Sequence, residues 1–171
     1  MDVRLANEQH IEVHKFHTGV VTGSVILALM LEAFLPVHLR WAELVDLPLL
    51  VTIYFALSRR SPSAGLLLGM IIGVAQDSLS HTPIGLYGIC KTIIGFIASS
   101  IGARLDVEHP LARCLLTFVF FHLHNAAFVF ISRLLLARPE PYIETRVIVA
   151  SIVSSLLTIA LFPLLDKLRK S

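Results

Sequence analysis

The sequence predicts an all-α integral membrane protein of about six transmembrane helices. Three observations point to that class. Of its residues 56% are hydrophobic and only 15% charged, and the mean hydropathy is +0.79, too apolar for a domain with a wetted surface. The charges gather between apolar runs instead of spreading through them. The 171 residues leave room for about six spans of ~20 residues with short loops and no further domain. The net charge of +2 carries no nucleic-acid signal, and no such partner is expected.

Residues 1–17 read as a cytoplasmic N-terminal tail without the n-region and A-x-A site of a cleavable signal. Val3, Leu5, Ile11, Val13 and Phe16 suit a weak interfacial helix, and a disordered tail fits the segment equally. A single membrane domain over 18–165 follows, with apolar runs at Thr18–Leu35, Leu44–Leu57, Ala64–Ser78, Ile84–Ala103, Leu111–Leu136 and Ile143–Leu165. The second run is interrupted by Asp46 and Pro48, which leaves a clean core of Leu49–Leu57, short enough to be re-entrant. The loops argue that it spans. With six helices and both termini inside, the inner segments hold Arg4, Lys15, Arg59, Arg60, Arg104, Arg113, Lys167, Arg169 and Lys170. The outer segments hold Arg40, Arg133, Arg138 and Arg146, so the bias follows the positive-inside rule. Residues 166–171 then form a basic cytoplasmic tail.

The third run carries Gly65, Gly69 and Gly73, four residues apart, and leads into Gln76-Asp77 and then Pro83-Ile84-Gly85. Small residues at that spacing let a second helix approach closely, and Asp77 shares the face of Gly73. Gly88, Lys91, Gly95, Ser99 and Gly102 make a matching stripe on the fourth run. Two uses are open to Asp77: capping the turn that follows, or contacting Lys91, which lies at similar depth across an antiparallel hairpin. Glu32 on the first run competes for the same lysine, and Lys91 could instead snorkel to the interface. Buried acids in a membrane helix mark partners or function.

His122, His124 and Asn125 lie mid-way along the fifth run. His122 and His124, two apart, point in nearly opposite directions, whereas His122 and Asn125 share a face and suit interhelical hydrogen bonding. No acid or cysteine nearby completes a zinc set and H-E-x-x-H is absent, so no metal and no cofactor is expected. The chain has no G-x-S-x-G elbow, and Ser78, Ser80 and His81 read as turn chemistry, so it is not read as an enzyme. Cys90 and Cys114 fall near opposite membrane faces, too far apart for a disulfide. The nine glycines lie in or beside apolar segments, Gly19 and Gly23 included, and serve packing.

The run from Gly65 through Gly69, Gly73, Gln76-Asp77, Ser80, Pro83 and Gly85 to Gly95 resembles the signature of the MreD family of bacterial rod-shape-determining proteins. Size and short-looped helices are similar too, so the resemblance covers most of the chain. No role is carried from the family to Gln76 or Lys91. The resemblance implies a non-catalytic component of the cell-wall elongation machinery in the bacterial inner membrane, to which the basic-residue bias adds the N-in, C-in orientation. It would pair with a single-pass MreC-type scaffold and, directly or through it, with the actin-like MreB filament and the peptidoglycan synthase–transpeptidase pair; membrane lipid and a second copy of the chain are further expected partners. MreD-like chains also look similar in architecture to the substrate-binding subunits of energy-coupling-factor vitamin transporters. That likeness implies an alternative: a solute-binding subunit whose pocket is lined by Glu32, Asp77, Lys91 and Trp41.

Overall fold

In lipid every backbone N–H and C=O has to be satisfied within the protein, which turns apolar runs into helices. The computed structural model describes residues 17–80, 82–105, 107, 109–136 and 145–167. Among them it has six α-helices: α1 (Thr18–His38), α2 (Leu47–Arg59), α3 (Pro62–Leu79), α4 (Leu86–Gly102), α5 (Pro110–Leu136) and α6 (Thr145–Asp166). A short 3-10 turn, Arg40–Leu44, precedes α2. The expected N-terminal tail through Phe16, His81, the stretch Arg138–Tyr142 expected as an outer loop, and residues 168–171 lie outside the described residues.

Helices α1, α3, α5 and α6 are long and apolar enough to cross a membrane. The other two are shorter. At 13 residues α2 is about 20 Å long, and at 17 residues α4 is about 25 Å. Sequence puts α2 at Leu44–Leu57; the structure starts it three residues later, because Leu44 belongs to the 3-10 turn and Asp46 is the N-cap. Pro62 and Pro110 open α3 and α5, where a missing N–H costs nothing. Arg60, in the left-handed region at φ 53°, makes the tight reversal from α2 into α3.

The shortest helix is the most enclosed. Every residue from Pro48 to Ser58 is buried, and Leu49, Ile53, Tyr54 and Phe55 meet Ile94 and Ala98 of α4, Phe120 of α5 and Phe162 of α6 in the main core. The Tyr54 and Phe162 rings sit edge to face at 5.1 Å. Protein surrounds α2, whereas α1, α3 and α5 turn large apolar side chains such as Leu27, Phe34, Met70, Ile71, Leu115 and Phe130 outward. Pairing runs mainly α3 with α4, α2 with α4 and α5 with α6.

The α3–α4 pairing depends on glycine. A Cβ on Gly65 would collide with Ser99 and the Gly95 carbonyl, one on Gly69 with the Lys91 carbonyl, and one on Gly73 with the Tyr87 carbonyl and Gly88 Cα. Gly95 meets the Gly65 carbonyl in return. Gly88 is less tight, since its nearest neighbour is the Val74 side chain. Gly102 performs the same service between α4 and Leu57 of α2. Backbone is thus in contact with backbone along the seam, the arrangement that dispersion favours where lipid supplies no hydrophobic drive. On α6 the buried side is built from serine and threonine rather than glycine. Ser151, Ser154, Ser155 and Thr158 are all buried, and the hydroxyls of Ser151, Ser155 and Thr158 donate to carbonyls of their own helix.

The end of the bundle where α1 begins is closed by Asp166. Its carboxylate accepts from Tyr54 Oη at 2.8 Å and Arg113 Nη1 at 2.6 Å. Cys90 and Cys114 are free thiols.

Candidate functional site

The opposite end carries the buried charge. Two helices, α2 and α4, begin there below the ends of their longer neighbours, so their first N–H groups need acceptors inside the protein. Each helix start has an acid. For α2, Glu32 Oε2 accepts from Leu47 N at 3.2 Å, and Asp46 Oδ1 from Leu49 N at 2.8 Å. Leu50 N reaches the Asp46 carbonyl, and Pro48 has no N–H to satisfy. For α4, Asp77 Oδ2 accepts from Gly85 N and Gly88 N, and Oδ1 from Tyr87 N, at 2.8–3.1 Å. Thr82 Oγ1 donates to the same Oδ1 at 2.9 Å. Gly85, at φ 103°, takes the left-handed turn that folds these donors back over the carboxylate. A negative charge at a helix N-terminus is also favoured by the helix dipole.

These contacts correct one expectation. Asp77 makes no ion pair with Lys91. Its lone pairs are taken by the α4 N-terminus and Thr82, so it takes the capping use. Lys91 instead donates to Asp46 Oδ2 at 2.6 Å, across from α4 to the N-cap of α2. It does not snorkel: the side chain is wholly buried, with Nζ 5.5 Å from the Tyr87 ring centroid. Asp46 therefore caps α2 with one oxygen and neutralises Lys91 with the other. Glu32 does not reach Lys91 as a hydrogen-bond partner; it holds Leu47 N.

Beside these groups lies a cavity of about 320 Å³ between α1, the 3-10 turn, α3, α4, α5 and α6. Glu32, Gln76, Tyr87, His124 and Phe128 line it, and an exposed pair, Arg146 Nη2 to Glu43 Oε2 at 3.0 Å, stands at its rim. Gln76 and His124 are 4% and 7% exposed, and Gln76 Oε1 and His124 Nε2 have no hydrogen-bond partner. Tyr87 stacks flat on His124, with ring planes 3° apart.

Sequence placed His122 and Asn125 together on one face. The structure puts His124 beside Asn125 at the cavity, and turns His122 back one turn onto Phe118 at 4.6 Å, the direction in which helical side chains lean. Trp41 is 57% exposed on the 3-10 turn and does not line the cavity. Among the described residues no group of three His, Cys, Asp or Glu side chains is placed to hold a metal.

The whole arrangement, a glycine-closed hairpin followed by an acid that caps the next helix, runs through the region where the family signature was read. The family model described as rod shape-determining protein MreD matches residues 14–171, nearly the whole chain. The chain belongs to the MreD family. It is a multi-pass membrane protein of the shape-determining machinery, in which it works with other Mre proteins, and the family is structural in character. No curated protein and no solved structure matches it. The likeness to vitamin-transporter subunits therefore rests on the sequence resemblance alone.

Proposed function

We propose that this chain is a non-catalytic docking component of the cell-wall elongation machinery. It sits in the bacterial inner membrane with both termini cytoplasmic and receives the single membrane helix of an MreC-type scaffold, which links it to the MreB filament and the peptidoglycan synthase–transpeptidase pair.

One observation supports this reading above the others. Among the described residues, Gly19 and Gly23, four apart on α1, have no neighbouring atom within 4 Å of where a side chain would stand. The α3–α4 glycines are occupied by a neighbouring backbone; this pair is bare. Around it α1 is buried only at Val21, Ala28 and Leu29 and presents Ile26, Leu27 and Met30 outward. A small-xxx-small face with nothing against it in a membrane helix is the complement of one further helix.

Co-purification of the full chain with its MreC-type scaffold tests the reading. Gly23→Leu should fold normally, because it meets open space, and should release the scaffold. Retention of the scaffold by a folded Gly23→Leu protein, or reporter fusions that place Ser171 in the periplasm, would count against it.

A further inference from the structure

Several polar side chains of the spans that turn at least partly outward satisfy themselves. Thr22, Thr92 and Ser100 each donate a hydroxyl to the carbonyl four residues earlier in their own helix. His122 does not. It stands half-buried at the middle of the 27-residue α5, about 18 Å from the nearer helix end. Among the described residues its ring makes no hydrogen bond; Phe118 meets it edge on at 4.6 Å. At that depth in lipid a ring N–H without an acceptor is costly.

The residues around His122 form a seam. Leu115, Val119, His122 and Ala126 follow one another at steps of four, three and four, the spacing that keeps one narrow face against a parallel helix. Leu115 and Val119 are mostly exposed. Ala126 is half-buried and small enough to let a neighbouring backbone approach. The symmetry of a membrane selects the occupant. Two copies inserted the same way are related by a two-fold axis along the membrane normal, so the helices at their contact run parallel. Each residue on the contact face then meets its own counterpart at the same depth. A carboxylate or an ammonium would meet a like charge there. A neutral imidazole donates from one ring nitrogen and accepts at the other, so His122 is complementary to a second His122. One polar residue at the centre of an apolar seam also fixes its register and the number of helices in it.

We propose that this seam of α5 pairs two copies of the chain, with the two His122 rings hydrogen-bonded to each other across the two-fold axis. The pairing does not rest on scaffold docking at α1. Among the described residues α1 and α5 do not pack together, and α2 packs against both, so one surface can be filled while the other is free.

The test uses the full chain in phosphatidylcholine vesicles. Energy transfer between donor-labelled and acceptor-labelled copies, followed against the protein-to-lipid ratio, reads self-association. The parent should associate. His122→Leu should keep the parent's unfolding midpoint, because the position is partly open to lipid. It should associate roughly threefold to thirtyfold more weakly, the worth of one interhelical hydrogen bond in a membrane. His122→Asn keeps a donor and an acceptor and should recover most of the loss. Cross-linking maps the seam independently. With Cys90 and Cys114 replaced by alanine, mild oxidation should link Ala126→Cys into dimers. Leu123→Cys, which is exposed but off the seam, should stay monomeric. A monomeric parent at every ratio, undiminished association of a folded His122→Leu protein, or equal linking at 123 and 126 would each overturn the proposal. So would a product linked through Ala126→Cys in native membranes whose mass shows a different protein in place of the second copy.

Discussion

The α3–α4 seam and the first turns of α1 use the same sequence device, glycines four residues apart, with opposite results. On α3 the space over Gly65, Gly69 and Gly73 is filled by α4; on α1 no described residue fills the space over Gly19 and Gly23. The seam is followed by an acid whose lone pairs are fully used, while the α1 glycines belong to a helix that faces mostly outward. Small residues therefore specify only that a backbone can come close. Whether the visitor is part of the same chain is set by the loops, and the short Ser80–Gly85 connection gives α3 no choice but α4.

Substitution at the two glycine pairs breaks that comparison most sharply. Gly69→Leu should give the largest loss of any single change here. Its first side-chain carbon would land on the Lys91 carbonyl, and backbone cannot step aside as a side chain can. We expect no folded protein at growth temperature, read as loss of the monodisperse peak in detergent. Gly23→Leu should leave that peak in place.

Asp77→Ala comes next. It strips the acceptor from three backbone N–H groups and the Thr82 hydroxyl. With each abandoned buried donor costing about 1–3 kcal/mol, the α4 start should fray and the thermal midpoint should fall steeply. Asp77→Asn, which keeps one acceptor oxygen, should fall less.

A smaller effect sharpens the assignment of the buried charges. Lys91→Met leaves Asp46 without its cation and should cost about 3–5 kcal/mol. Combined with Asp46→Asn it should cost clearly less than the two single changes added together. The Lys91→Met/Asp77→Asn pair should show the weaker coupling of the two cycles. Equal coupling in both cycles would contradict the Lys91–Asp46 assignment.

Arg146→Ala should have the smallest effect. Its pair with Glu43 is more than half exposed, and such pairs are worth about 1 kcal/mol or less. Any shift in the unfolding midpoint should shrink further at high salt.

Periodicity made the six helices readable, because apolar runs separated by charges leave few other solutions in lipid. The depth of α2 was not readable. Asp46 looks like an interruption of an apolar run until α4 is placed beside it, when it becomes at once a cap and a counter-ion. Its partner lies 45 residues away, beyond any local pattern. Asp77 could be placed on the Gly73 face from spacing, but its partners depend on the turn at Gly85, which returns four donors to it. His124 was hidden for a different reason. Helical spacing pairs His122 with Asn125, and only the lean of His122 onto Phe118 shows which of the two histidines lines the cavity. The buried Ser151, Ser154, Ser155 and Thr158 face could have been found from its spacing of three and four, the same rule that drew attention to the glycines.

The shortness of α2 has a consequence for biogenesis. A helix of about 20 Å cannot by itself cross a hydrocarbon layer of about 30 Å, and the lysine that neutralises its N-cap is synthesised 45 residues later. As it leaves the ribosome, α2 has only α1 to lean on. Stable residence in the bilayer must wait until the α3–α4 hairpin has closed and slid alongside it. The order of synthesis and the order of settling are then expected to differ, with α2 made second and fully enclosed only once α4 is in place. A nascent chain stalled between Arg59 and Lys91 would present an unfinished helix to the insertion and quality-control machinery, and would be the form most open to membrane proteolysis.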